Sequence, residues 1–424
     1  MSTPRALITG SGAVCGTGRT PEALLAAARE GRSAIAPIQQ WDATGWPVSV
    51  AAEIADFNPR DFVPDRKLHK FIRRTDMMGI FAGTQAIARA GFIAHRDTLP
   101  AEAVAEYNDR TGIYVGSGGG AYNTQYEYFP LMTESGGDMV RFGEQLGNVV
   151  NPMWLLRTLP NNVLCHVGIN HDLKGPNACI TNHSCGGTLA VIEAMEALRQ
   201  GEADRAVAVG HDTLIEPQMV LYYNQCGLLA GDTIRPFDAA RSGSLFGEGA
   251  GALTLETEAS ATARNAKVVG EVLGGGNTGE ATGLLAIRDD GDGLARAIGD
   301  ALHDAKLGPA DIGMVVAHGN GTRQSDASEA AALRRVFGDA MPPVTAFKWS
   351  IGHLIAAAGL IETVIALAAL AENVVPGIAT LRNLDPDCAG IAVSNVAQKP
   401  RSKVALILCR GFAGTDAALV VKAA

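Results

Sequence analysis

The sequence predicts an α/β fold in which a sheet is covered by helices on both faces. Short aliphatic runs that read as strands are apolar almost throughout, without the alternation of a half-wet sheet. Between them lie longer alanine-rich segments of helical period, the order expected of layered α/β architecture. A weak internal repeat between the two halves of the 424-residue chain is the third sign.

In chain order, RALITGSG (residues 5–12) is the first predicted strand and TPEALLAAAREG (20–31) the first helix. A second helix, TDMMGIFAGTQAIARAG (75–91), ends on the glycine expected at a C-cap. TGIYVGSGGG (111–120) is a strand, GGTLAVIEAMEALRQG (186–201) a helix, and RAVAVGHD (205–212), GALTLE (251–256) and KVVGEVLG (267–274) are strands. The remainder alternates: helix LARAIGDALHDA (294–305), strand MVVAHGNG (314–321) and helix SDASEAAALRRVFG (325–338). Helix GHLIAAAGLIETVIALAALAE (352–372) and strand VALILCRGF (404–412) complete it. The repeat lies in NHSCGGTLAVIEAMEAL (182–198) and SIGHLIAAAGLIETVIAL (350–367), each a helix opening with small residues after a polar turn. Such starts suit two pseudo-equivalent halves, residues 1–258 and 259–424, meeting at a central site with the join near 255–265.

Composition narrows the function. A chain with 47% hydrophobic and 19% charged residues can bury a sizeable core and is not a disordered segment. Its 50 glycines follow no G-X-Y period, which excludes collagen. The net charge of −9 argues against a nucleic-acid partner, which would need a dominant basic surface. Seven cysteines, an odd number with no CxxC pair, fit neither a disulfide framework nor a zinc knuckle and suit a reducing cytoplasm. No signal-peptide core precedes the first strand, and the longest apolar stretch is interrupted by Glu362, so no membrane association is expected.

The glycine-rich turns do not read as nucleotide loops. TGSGAVCGTG misses the G-x-G-x-x-G spacing, and VGSGGGAY and FGEGAGAL lack a Walker lysine, so no cofactor is expected. Three other regions are harder to explain as packing. In GPNACITNHSCGG (175–187), Ser184 and Cys185 sit at a turn into a helix, whose N-terminus lowers a nucleophile's pKa and offers N–H groups to an oxyanion. By itself, that pair is more often an N-cap serine before a buried cysteine. His318 ends the apolar strand VVAHGNGT, and FKWSIGHL sets Lys348 five residues before His353 at a helix start. Two histidines and a lysine so placed suit acid/base or oxyanion work, and no metal-ligand spacing accompanies them.

These motifs resemble the β-ketoacyl-acyl carrier protein synthases of the elongating type, within the thiolase-like condensing enzymes. The resemblance runs from RALITGSGAVCGTG through KGPNACITNHSCGG, RPFDAARSGSLFGEGAGALTLE, VVAHGNGTRQSDASEA and FKWSIGHLIAAAGLIE to RGFAGTD, in the family's order. It implies a duplicated five-layer α-β-α-β-α fold of two βαβαβαββ halves, and a dimer. His318 and His353 match the histidines that assist malonyl decarboxylation and stabilise an oxyanion or enolate. Lys348 matches the supporting lysine, Glu362 the acid that fixes the network, and Phe412 the gating phenylalanine. Thr322 falls where a threonine contacts the phosphopantetheine arm, while its companion position holds Asn320. The basic segment Arg66, Lys67, Lys70, Arg73 and Arg74 lies where relatives dock the acidic acyl carrier protein.

One departure matters most. The family's nucleophilic cysteine aligns with Ser184, and Cys185 comes one residue late, a rotation of about 100° on a helix. Ser184 is therefore expected inward, with Cys185 the alternative acylated residue. A thiol ionises near 8.5, but a serine hydroxyl needs an adjacent base, and its acyl ester is less electrophilic than a thioester. His183 replaces the family's small residue beside the nucleophile; it would shorten or polarise the acyl pocket, or give Ser184 another base. Arg410 replaces an aromatic and either pairs with a carboxylate or sits at the dimer surface. Three functions compete: a ketosynthase condensing an acyl group with malonyl-carrier protein in polyketide or specialised fatty-acid synthesis, a Ser-dependent acyltransferase, or a chain-length-factor-like partner of a paralogous ketosynthase. A serine substituted to trap a complex would leave the first intact. The retained histidines favour the ketosynthase.

Overall fold

The computed structural model describes residues 4–118 and 128–424. Gly119 and Gly120, at the end of one predicted strand, and the rest of the VGSGGGAY run after Gly118 lie outside the described residues. Ten strands form the frame: β1 (Ala6–Cys15), β2 (Thr111–Ser117), β3 (Asn177–Ile180), β4 (Arg205–Thr213) and β5 (Glu248–Thr257) from the first half. The second half supplies β6 (Gly270–Gly279), β7 (Met314–Val316), β8 (Pro343–Thr345), β9 (Val404–Gly411) and β10 (Thr415–Ala423). Their spatial orders are β1-β5-β4-β2-β3 and β6-β10-β9-β7-β8, the same path walked twice. Strand directions repeat as well: two antiparallel pairings, then two parallel ones. The halves join where Ala6–Ile8 of β1 pair antiparallel with Gly270–Val272 of β6. A two-residue strand, Ala392–Val393, extends the β8 edge.

Five helices complete the layers: α1 (Arg74–Ala90), α2 (Gly186–Arg199), α3 (Asp292–Ala305), α4 (Arg323–Phe337) and α5 (Ala358–Ala371). The α1 helix lies on β1, β4 and β5, while α3 covers β6 and β10 with α4 beside it. Between the sheet halves, α2 packs on β2 and β4, and α5 on β5 and β9. This is the expected five-layer order, and it explains the composition of α5, which is apolar nearly all round because protein surrounds it. Close approach demands glycine at the layer contacts. A Cβ on Gly12 of β1 would come within 2.1 Å of the Ala82 carbonyl oxygen in α1, and one on Gly116 of β2 within 2.2 Å of Gly186. The second contact presses the start of α2 onto the sheet.

The predicted helix over 352–372 begins later than its alanine content suggests. Residues Ile355–Ala357 form a single 3₁₀ turn, Ile355 has a φ of 45°, and α5 starts only at Ala358. Among the described residues, no helix is long and apolar enough to cross a membrane.

Candidate active site

The reactive turn lies between β3 and α2. Residues His183–Cys185 make one 3₁₀ turn entered through His183 at a φ of 42°, a left-handed conformation costly for a residue with a Cβ. Ser184 Oγ lies 2.9 Å from His183 Nδ1 and 3.4 Å from His353 Nε2. The next residue faces the opposite way. The Cys185 thiol packs among Leu189, Cys409 and Ala417, 3.6 Å from the carbonyl oxygens of Cys409 and Thr415. Burial pushes it well above the ordinary thiol range, and it is not among the residues that line the cavity.

His318 follows β7, and its backbone N–H donates to Glu329 of α4 at 2.7 Å, beside that of Gly319 at 2.9 Å. His353 sits in extended chain whose N–H donates to the Leu245 carbonyl. The two rings meet edge to face, centroids 5.1 Å apart. Each ring has one nitrogen committed as an acceptor: Ile355 N–H donates to His353 Nδ1 at 3.1 Å, and Arg410 N–H donates to His318 Nδ1 at 3.3 Å. A neutral imidazole then carries its proton on Nε2, so both histidines are Nε2–H donors. Burial, and then the Lys348 charge, hold both well below the usual histidine range and so keep them neutral. Lys348 Nζ itself is 2.7 Å from Glu362 Oε1, both fully buried, and burial raises that carboxyl to about 7 against the lysine's pull.

A cavity of about 350 Å³ opens over these groups, lined by His183, Ser184, Tyr223, His318, His353 and Phe412, with Asn320 and Thr322 farther along its wall. Two N–H donors facing a buried hydroxyl form an arrangement suited to acyl transfer: the donors can stabilise the oxyanion as the carbonyl is attacked. The comparisons decide the family. Residues 4–261 match the N-terminal domain of β-ketoacyl synthases, and residues 269–382 the C-terminal domain. The chain belongs to the β-ketoacyl synthase family. Nodulation protein E of Rhizobium meliloti (strain 1021) is 30% identical over 421 residues, covering 99% of each chain. The 3-oxoacyl-[acyl-carrier-protein] synthase 2 of Staphylococcus aureus (strain COL) is also 30% identical, over 99% of this chain and 98% of its own. Among solved structures, the ishigamide ketosynthase/chain length factor superposes with a TM-score of 0.87 at 28% identity, covering all of both chains. The chain is thus a ketosynthase-type condensing enzyme, an acyltransferase by class.

In this synthase the geometry sorts the expected site residues. Ser184, His318, His353, Phe412, Thr322, Asn320 and His183 all reach the cavity, whereas Lys348 stands behind the histidines and acts on them by charge. Asn320 Oδ1 accepts from both the N–H and the hydroxyl of Thr322, so it fixes the threonine instead of duplicating it. Cys185, counted among the substrate-facing residues, is displaced from that set by its helix position. The docking cluster also shrinks. Arg73 is buried against Asp76 at 3.4 Å, and Arg74 is held by Glu248 at 2.7 Å and stacks on Phe57. Only Arg66, Lys67 and Lys70 present exposed charge. Arg410 takes the first of its two alternatives, paired with Glu280 at 2.7 Å and Asp416 at 2.8 Å in the interior.

Two partners went unread in the sequence. Glu329 ends the DASE run that carries the resemblance, 11 residues after His318, and its spacing across one helical turn from Asp326 was the available signal. Tyr223, whose hydroxyl is 2.8 Å from His183 Nε2, gave none, because it comes from a separate helix, Pro217–Gln225.

Proposed function

We propose that the chain takes an acyl group from a carrier-protein thioester onto Ser184 Oγ and condenses it with a malonyl unit on the same kind of carrier. The observation that carries this reading is the pairing of Ser184 Oγ with His353 Nε2 inside the cavity, while the Cys185 thiol is sealed behind it. In the first half-reaction the hydroxyl displaces the carrier's thiol and leaves a serine ester. In the second, the Nε2–H groups of His318 and His353 hold the malonyl thioester oxygen as carbon dioxide leaves. The enolate carbon then attacks the ester carbonyl, and the Ser184 oxygen departs and takes up a proton from solvent, the one proton that decarboxylative condensation consumes. The ester is a poorer electrophile than a thioester, which suits a slow, specialised polyketide or fatty-acid step over bulk synthesis.

Carrier dependence is supported by the name of the staphylococcal relative, an acyl-carrier-protein synthase, and by exposed Arg66, Lys67 and Lys70 on an otherwise acidic chain. A dimer, with itself or with a paralogous ketosynthase, is supported by β3. Among the described residues, that strand ends its half of the sheet with one edge unpaired, beside a helix that exposes Ile169. The test is peptide mass spectrometry after incubation with a hexanoyl carrier-protein thioester. An adduct on Ser184 is expected. An adduct on Cys185 would overturn the oxygen-nucleophile reading, and no adduct under any carrier would favour a non-elongating partner subunit.

A further inference from the structure

Three imidazoles stand near Ser184, and two of them are in the wrong tautomer to take its proton. His353 Nδ1 already accepts from Ile355 N–H, and His318 Nδ1 from Arg410 N–H, so each turns an N–H toward the cavity. With His353 donating to Ser184 Oγ, the serine's own hydrogen points to its other neighbour, His183 Nδ1, at 2.9 Å. His183 then carries its proton on Nε2 and donates it to Tyr223 Oη at 2.8 Å. The ring is held in plane by stacking on Phe412, centroids 4.5 Å apart at 18°.

We propose that His183 is the general base that activates Ser184, with Tyr223 positioning its ring and fixing its tautomer. This rests on Ser184 being the acylated residue. As Oγ attacks the thioester carbonyl carbon, its proton passes to His183 Nδ1, and the oxyanion forms against the His318 and His353 donors. Collapse breaks the carbon–sulfur bond, and the departing pantetheine sulfur takes the proton back from Nδ1. Bonds and protons balance: a thioester and an alcohol become an ester and a thiol. Burial keeps His183 neutral down to about pH 4, so it stands ready as an acceptor at neutral pH. The arrangement assigns a purpose to an imidazole held against the nucleophile by Tyr223 and Phe412.

The test compares acylation rates by quenched-flow mass spectrometry, with hexanoyl-pantetheine as the probe, in two backgrounds. His183→Ala and His183→Gln should each slow Ser184 acylation by about 10²–10⁴-fold, the usual share of a general base. In Ser184→Cys, whose thiol ionises by itself, His183→Ala should cost less than about tenfold. Tyr223→Phe should slow the serine enzyme and lose its effect once His183 is alanine. Equal losses in the serine and cysteine backgrounds would mean that His183 only shapes the pocket, and the inference would fall. A loss below about tenfold in the serine enzyme would sink it too. If the wild-type chain forms no ester at Ser184, the nucleophile reading fails first and takes this inference with it.

Discussion

The starts of α2 and α5 are the same piece of backbone used twice. Each helix has 14 residues and is preceded by one three-residue 3₁₀ turn, His183–Cys185 in the first case and Ile355–Ala357 in the second. Each turn is entered through a residue of positive φ, 42° at His183 and 45° at Ile355. The second turn presses on the start of α2: a Cβ on Gly187 would lie 2.5 Å from the Ala356 carbonyl oxygen. The side chains nonetheless differ completely. The first turn carries imidazole, hydroxyl and thiol; the second carries an isoleucine and two alanines, and offers the site an apolar Ile355 wall and the Ile355 N–H on His353. The strained elbow is therefore a property of the duplicated fold, and reactivity comes from what the first copy hangs on it.

The largest effect should come from exchanging those side chains. Ser184→Ala should abolish acyl-enzyme formation, as judged by intact mass, because it removes the cavity hydroxyl held between His183 Nδ1 and His353 Nε2. Ala356→Ser puts a hydroxyl on the twin turn, where Ala356 is fully buried, and should yield no adduct. An ester at residue 356 would show that the elbow alone suffices for chemistry. Next come the two histidines, of which the second turn helps to orient His353. His318→Ala and His353→Ala should each lower malonyl decarboxylation by about 10²–10³-fold, the typical cost of one oxyanion donor, measured as carbon dioxide release. Unchanged release in both would detach these residues from the condensation step.

The same comparison shows what the sequence could and could not reveal. The small residues at both helix starts were legible as a repeat, and the motifs around Ser184, His318 and His353 were legible as a site. The helix begins at Ala358 and not at Gly352, although alanine favours helix wherever it stands; contact with Gly187 and the demands of His353 override that propensity at Ile355. Strands β3 and β8, NACI and PVT, are too short to show a period, and their places in the sheet come from long-range pairing alone. Side-chain direction was readable at Cys185, where helical rotation decides it, but not at Arg73 and Arg74. There, the partners Asp76 and Glu248 turn apparent surface charge into interior pairing, and Glu248 lies 174 residues from Arg74.

A pH profile sharpens the contrast between hydroxyl and thiol on the first turn. His183 is pulled down to about 4 by burial, so it is unprotonated above that pH and loses its basicity only as pH falls through about 4. The groups facing it are Ser184 and Tyr223 by hydrogen bond, with His353 and His318 electrostatically coupled to it; burial keeps those two histidines neutral as well. Acylation of Ser184 should accordingly stay level, within about twofold, from pH 5.5 to 8. The Ser184→Cys enzyme should instead speed up with pH, because its thiolate fraction grows toward the ordinary cysteine value near 8.5. A serine enzyme whose rate climbs tenfold between pH 6 and 7 would mean that the base is a group other than His183.

The smallest effect concerns delivery. Of the five basic residues first read as a docking segment, Arg66, Lys67 and Lys70 stay exposed, while Arg73 and Arg74 hold the start of α1 and the Glu248 carboxylate. Exposed charges on a docking rim govern encounter more than chemistry and are screened over about 8–10 Å at physiological salt. Reversing all three to glutamate should raise KM for a hexanoyl carrier-protein thioester about three- to tenfold and flatten its salt dependence, with kcat little changed. Free hexanoyl-pantetheine, which has no carrier to dock, provides the reference rate. If the carrier-bound and free substrates respond alike, the segment is an ordinary solvated surface, and the carrier approaches the cavity from another side.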